Sequence, residues 1–214
     1  MTTLLEATKQ FEQKVILHDV SWETYERLLI EHQESNTTRF NYDRGMLEIM
    51  ILSLRHEMLK QTLTTLVEIL AEGLELDNTG AGSTTFRRED LARGFEPDGC
   101  FYFAQAELIR QKSKLDLTTD PPPELVIEID ITSPSLDKFP IFAALGVAEV
   151  WRCDGAQVGL FRLAAGTYKA VSASAVLPGI SAALINQLLA TSQTMKRNEW
   201  LRLVRESAQQ VKKQ

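Results

Sequence analysis

Cysteine is scarce in this chain, and its scarcity excludes two common ways of holding a fold together. The 214 residues contain only Cys100 and Cys153. They are far apart, form no CxxC pair and fall in apparent strands, which fits buried free thiols in a reducing compartment rather than a disulfide or a zinc site. Long apolar runs are missing as well. No charge-free stretch approaches the roughly 18 to 20 residues needed to span a bilayer. The first residues, with Glu6, Lys9 and Glu12 spread through them, lack the apolar centre of a signal peptide. The expectation is a cytoplasmic protein with no membrane partner. Phosphate-binding glycine fingerprints are also lacking. Gly80 and Gly82 match neither the P-loop nor the GxGxxG spacing, so Thr79-Gly80-Ala81-Gly82-Ser83 reads as a helix exit and turn.

Positive charge is in deficit. A formal charge of -6 and a pI of about 5.2 argue against a protein that coats nucleic acid nonspecifically, though not against a nuclease. The cations that exist are concentrated at the end. Residues 194–214 carry Lys196, Arg197, Arg202, Arg205, Lys212 and Lys213 against Glu199 and Glu206, so this stretch is +4 and the remainder -10. A solvated helix with cations toward its C-terminus explains this, as the helix macrodipole favours; a DNA-contacting tail is the second reading.

With 44% hydrophobic residues the chain can bury one core, and 1–214 reads as a single domain ending in a basic helix over 191–214. After a loose start, Ser21 is positioned to cap a short helix with an apolar stripe of Trp22, Tyr25, Leu28 and Leu29. Arg39 to Tyr42, the turn Asp43-Arg44-Gly45, and Met46 to Met50 read as a β-hairpin. From His56 to Leu74 the leucines at 59, 63, 66, 70 and 74 recur every three or four residues, the period of a helix burying one face. His56 lies on that face. Strands follow at Thr84 to Arg88 and at Cys100 to Phe103, then an exposed segment to Pro121-Pro122-Pro123. Lys138 to Leu145 reads as a helix with Pro140 in its first turn and Gly146 as its stop. The order strand, helix, strand makes 125–131 and 149–153 parallel neighbours. A hairpin around Ala165-Gly166 and helices near 181–190 and 194–210 complete the chain.

The most informative stretch is Leu125 to Ile131. One strand face is aliphatic, with Leu125, Ile127, Ile129 and Ile131. The other presents Glu128 and Asp130 side by side, about 6 to 7 Å apart. Asp98 after Pro97, at the mouth of the preceding strand, and Lys138, at the head of the next helix, add an acid and a cation. Two acids on adjacent strands form a rigid platform for a divalent metal, which neutralises a phosphodiester, activates water and stabilises the leaving oxygen. A nearby lysine can orient the water or offset developing charge. Each residue also has a plainer reading. Asp98 can cap a turn, Glu128 and Asp130 can face solvent, Lys138 can be a surface lysine, and His56 a satisfied core histidine. Arg87 and Arg88 can grip phosphate or pair with Glu89 and Asp90. For the strand acids, helices covering both faces of a parallel sheet favour function, because unpaired buried carboxylates are costly.

At these residues the chain resembles the Uma2 family of bacterial endonucleases, within the PD-(D/E)XK nuclease superfamily. The resemblance covers roughly residues 20 to 190. It rests on Tyr42-Asp43-Arg44-Gly45, His56, Pro97-Asp98, Pro122 to Glu128, Ser133-Pro134-Ser135, and Gly146 to Trp151. It implies an α/β fold with the restriction endonuclease-like core order αβββαβ around a mixed central sheet, here with an N-terminal hairpin and C-terminal helices. It implies Mg2+- or Mn2+-dependent hydrolysis of DNA. Asp98, Glu128 and Asp130 would be metal ligands, Lys138 the catalytic lysine and His56 an accessory residue. The chain departs from the superfamily in carrying Asp130 two residues after Glu128, where a lysine is usual. A two-residue insertion before Ser133 leaves Asp130 as an alternative to Glu128 in the key ligand position. Double-strand cleavage would suit a homodimer. A catalytically inactive binding or assembly module with the same fold is the alternative. A carboxylate-pair glycosidase is disfavoured, because acids on one strand face point in parallel rather than flanking a bond.

Overall fold

The computed structural model describes residues 13–32, 38–82, 84–131 and 136–213. In chain order, β1 (Gln13–Leu17), α1 (Trp22–Glu31), β2 (Thr38–Asp43), β3 (Met46–Ile51) and α2 (Leu54–Gly73) come first. Then come β4 (Thr79–Gly80), β5 (Phe86–Arg88), β6 (Arg93–Phe95), β7 (Gly99–Tyr102) and α3 (Ala106–Arg110). The chain finishes with β8 (Leu125–Ile129), α4 (Phe139–Leu145), β9 (Glu149–Cys153), β10 (Val158–Ala164), β11 (Thr167–Val171), α5 (Ala182–Ser192) and α6 (Arg197–Lys212).

Local chemistry sets several of these boundaries. The hydroxyls of Ser21, Ser53 and Ser181 accept backbone N–H groups from Thr24, His56 and Leu184, closing the open N-termini of α1, α2 and α5. The β2–β3 hairpin turns on Arg44 and Gly45, with φ of 48° and 94°, the two left-handed positions of a tight turn.

The strands form two sheets. The first is antiparallel, ordered β1-β3-β2-β6-β5, and the second is ordered β11-β10-β9-β8-β7-β4. Only β8 and β9 run parallel in the second sheet, joined through α4, as the strand-helix-strand order required. One face of the second sheet, with Leu125, Ile127, Ile129 and Trp151, packs on α2, α5 and α6 through Leu63, Leu66, Leu188 and Trp200. The opposite face, with Val126 and Val150, meets Ile141 and Phe142 of α4 and Phe86 and Phe95 of the first sheet. The alternation of β8 is thus used twice, with aliphatics under the helices and the other face turned toward α4 and the first sheet. Each fully buried Leu, Ile or Phe contributes about 1.5 to 3 kcal/mol.

Several expectations need correction. The N-terminal hairpin is part of a five-stranded sheet, which gains β1 from the segment read as a loose start. Thr84 to Arg88 shortens to β5 and joins the first sheet rather than the core order. The first core strand is instead β4, which sequence reading took for a turn. Two residues with a glycine have little strand propensity; they are held by pairing with Tyr102 and Phe101. β6 and α3 were not anticipated. β8 ends at Ile129, not at 131, although Asp130 N–H still donates to Cys153 O at 2.7 Å. The Ser133-Pro134-Ser135 turn and Ser83 lie outside the described residues. Cys100 and Cys153 are buried and free. Lys212 and Arg205 of the basic helix pair with Glu75 and Glu72 at the end of α2.

Gly94 of β6 lies against Tyr25, and an added Cβ would run into the phenol oxygen and stand 2.9 Å from Tyr25 Cζ. Gly94→Ala is expected to lose about 1 to 3 kcal/mol of stability in urea unfolding. Tyr25 Oη is buried and has no hydrogen-bond partner among the described residues. Tyr25→Phe should therefore be close to neutral alone and should recover part of the Gly94→Ala loss in the double variant.

Candidate active site

Four chain segments converge on one end of β8. Asp98 stands immediately before β7 and is 2% exposed. Its Oδ2 accepts the Ile129 N–H at 2.7 Å, and its Oδ1 lies 2.7 Å from His56 Nε2. His56 is fully buried in the first turn of α2, which the Ser53 cap fixes in place. Both oxygens of Asp98 are therefore oriented, one by backbone and one by imidazole. Burial works to raise the Asp98 carboxyl, but the His56 hydrogen bond and charge, the Lys138 ammonium and the Ile129 N–H outweigh it and hold the group below its ordinary value.

Glu128, the penultimate residue of β8, is 4% exposed. Its Oε2 accepts from Lys138 Nζ at 2.6 Å, whereas Oε1 is buried and has no hydrogen-bond partner among the described residues. Burial pushes the Glu128 carboxyl up to about 7 against the pull of Lys138, and the Asp98 charge adds to the rise. Lys138 heads α4, with Pro140 in the first turn as expected. Its ammonium is held above its ordinary value: burial opposes this, and the charges of Glu128, Asp98 and Glu48 prevail.

Glu128 and Lys138 border a cavity of about 340 Å³ that is also lined by Lys14, Glu48, Asp130 and Arg152 among others. Asp98 and His56 stand behind it, out of solvent. Asp130 faces the same cavity, as the alternation in β8 predicted. Its Oδ1 accepts from Lys14 Nζ at 3.2 Å, and its Oδ2 accepts from Arg152 Nε and Nη2 at 3.1 and 2.6 Å. The structure thus joins His56 to Asp98 and Glu128 to Lys138, and places Asp130 in a separate cationic clasp. Arg87 and Arg88 lie outside this cavity, in ion pairs with Glu26 and Asp90.

Three cavity residues were not singled out from sequence. Glu48 is 1% exposed and accepts from Asn41 Nδ2 at 3.1 Å, while Asn41 Oδ1 accepts the Glu96 N–H at 3.3 Å. A lone acid within the apolar run Met46 to Ile51, opposite an asparagine in the hairpin register, was the available signal. Arg152 lies beside Glu128 in the β8–β9 register, and an arginine in a buried parallel strand could have been flagged. Lys14 gave no signal, since nothing local indicates that its strand reaches residue 130.

Does the donor set suit magnesium? Among the described residues, no group of three or more His, Cys, Asp or Glu side chains could hold a metal ion. An all-protein cage is therefore not formed. Magnesium, however, is usually held by one or two carboxylates, with waters and substrate phosphate completing its shell. Asp98 and Glu128 match that mode, and Glu128 Oε1, without a hydrogen-bond partner among the described residues, supplies an oxygen for it.

The raised Glu128 group has a consequence for stability. Its folded value, about 7, exceeds its ordinary 4.5, so between those limits the native state binds more protons than the unfolded chain and stability falls as pH rises. In EDTA, urea unfolding between about pH 5 and about pH 8 should show a loss of ~1 to 3 kcal/mol, and Glu128→Gln should flatten it. Asp98 acts with the opposite sign and at lower pH, its contribution being lost as pH falls below the ordinary carboxylate range.

Comparison with curated proteins gives no match. Comparison with protein families does: the Uma2 family, described as "Putative restriction endonuclease", matches residues 22–190. The match spans the two sheets' central strands, α2, α4 and every residue of the Asp98–His56 and Glu128–Lys138 pairs. The mixed sheet and its strand order agree with a restriction endonuclease-like fold. The chain belongs to the Uma2 family.

Proposed function

We propose that the protein is a magnesium- or manganese-dependent endonuclease that hydrolyses phosphodiester bonds in DNA. The observation that carries this reading is Glu128 Oε1, a buried carboxylate oxygen at the wall of a cavity with no hydrogen-bond partner among the described residues, near enough to the oriented Asp98 carboxylate to feel its charge. An orphan of this kind is costly to fold unless a ligand completes it. Asp98 and Glu128 are the residues that would hold the metal, which when bound neutralises the phosphate and lowers the pKa of water.

The chain's own groups divide the remaining work. His56 and the Ile129 N–H fix the direction of the Asp98 oxygens, so that the ligand is preorganised. Lys138, anchored on Glu128, offers an ammonium to orient water or offset charge on the leaving oxygen. Asp130 becomes a further ligand only when Lys14 and Arg152 release it; clasped, it holds those two cations at the cavity. Because one site cuts one strand, a two-fold homodimer is the assembly that breaks both. The cytoplasm, where the two buried thiols stay reduced, is the compartment of action. No helix among the described residues is long and apolar enough to cross a membrane.

One observation favours a second reading, a binding or assembly module with the same fold. Glu128 already has Lys138, and Asp130 has Lys14 and Arg152, so much of the cavity's charge is internally compensated. Calorimetry with magnesium separates the two, because an inactive module shows no carboxylate-dependent uptake.

Supercoiled plasmid nicking should require Mg2+ or Mn2+ and stop in EDTA. Asp98→Ala and Glu128→Ala should each reduce it by about 100-fold or more, and His56→Ala by about 10- to 100-fold through misorientation of Asp98. Metal-dependent nicking that survives the Asp98→Ala, Glu128→Ala double variant overturns the reading.

A further inference from the structure

The cavity carries three cations, and they are not equally available. The side chains of Lys14 and Lys138 are 10% and 14% exposed, whereas Arg152 is 38% exposed. Lys138 is committed to Glu128 at 2.6 Å. Arg152 uses Nε and Nη2 on a single oxygen, Asp130 Oδ2, and among the described residues its Nη1 has no hydrogen-bond partner. An anion entering the cavity from solvent therefore meets the Arg152 guanidinium first.

Its position is equally specific. Arg152 is the register partner of Glu128 in the parallel β8–β9 pair, so the two side chains project from the same face of neighbouring strands, about 4.8 Å apart at the backbone. Two contacts stop the guanidinium from swinging away. Asp130 holds one edge, and the Phe139 ring lies 5.8 Å from Arg152 Cζ. Asp130 is itself steadied by Lys14 on its other oxygen. A guanidinium fixed along one edge and open on another, next to a buried carboxylate, is suited to a tetrahedral oxyanion.

We propose that Arg152 is a substrate-binding residue that takes a backbone phosphate of the nucleic acid at the mouth of the cavity, with Asp130 as the positioning residue that aims it. This rests on the nuclease reading above, and it gives Asp130 a role that does not depend on metal ligation. The contact is with phosphate, so it carries affinity and register but no base preference.

The test is fluorescence anisotropy of a short labelled duplex titrated with wild type, Arg152→Gln, Arg152→Lys and Asp130→Asn across a range of KCl concentrations. Calcium replaces magnesium to fill the oxygen site. Arg152→Gln should weaken binding about 10-fold whatever the duplex sequence, and should lower the slope of log affinity against log salt by about one. Arg152→Lys should keep the slope and lose affinity by a smaller factor, because an ammonium cannot hold Asp130 and a phosphate with the same fork. Asp130→Asn should leave the slope unchanged while weakening binding several-fold. Thermal melting of each variant identifies folded protein, and if Arg152→Gln does not fold, the Arg152→Lys and Asp130→Asn arms still decide. Wild-type binding with unchanged affinity and slope in the folded Arg152 variants overturns this inference and leaves the nuclease reading intact. A wild type that binds no duplex at all overturns the nuclease reading and the inference with it.

Discussion

The Asp98 carboxylate fastens the candidate site together, and most of the surrounding geometry follows from that one group. Its two oxygens engage two different elements. One takes the Ile129 N–H of β8 and the other meets His56 of α2, while the residue itself precedes β7. A carboxylate with only 2% exposure persists because both oxygens are satisfied. Through that anchor the first turn of α2 and the end of β8 are joined by hydrogen-bond direction, which fixes geometry far more strictly than apolar packing does.

A second constraint comes from β8, which is asked to be two surfaces at once. Its aliphatic side is sealed under α2, α5 and α6 by Leu125, Ile127 and Ile129. Its other side begins with Val126, packed toward α4, and continues with Glu128 and Asp130 toward the cavity. Because the side-chain period is two, a one-residue slip in pairing would drive both acids into the helical core and the isoleucines into the cavity. The register against β7 and β9 is thus fixed by hydrophobic burial, and the chemistry inherits its placement from it. The two pairs that result have different characters. His56–Asp98 is closed and oriented, whereas Glu128–Lys138 leaves one oxygen over.

Much of this was legible in the sequence, for identifiable reasons. The alternation of Leu125 to Ile131 gave the acid face, the leucine spacing gave α2 with His56 on its buried side, and the short helix between two strands gave the parallel pair. These are periodic or local signals, and burial enforces them. The family resemblance added the fold and the grouping of Asp98, Glu128 and Lys138 at one site. What sequence did not show was pairing over long separations. β4 is too short and glycine-containing to announce itself, and it was displaced in the expected core order by β5, which belongs to the other sheet. Glu48 and Arg152 carry a local hint, a charge inside a largely apolar strand, but what brings them and Lys14 to the cavity is sheet register and contact between the two sheets, which leave no local pattern. The clasp around Asp130 was unreadable for the same reason, since Lys14 is 116 residues away.

Lys14 lies on β1, which among the described residues is an edge strand of its sheet, paired with β3. A strand at the edge of a sheet has one row of backbone N–H and C=O groups outside the ladder. Any displacement of β1 from β3 would carry Lys14 away from Asp130 and leave the Arg152 contact in place. The electrostatics of the cavity are consequently tied to the pairing of a five-residue strand whose own residues do not belong to the core sheet.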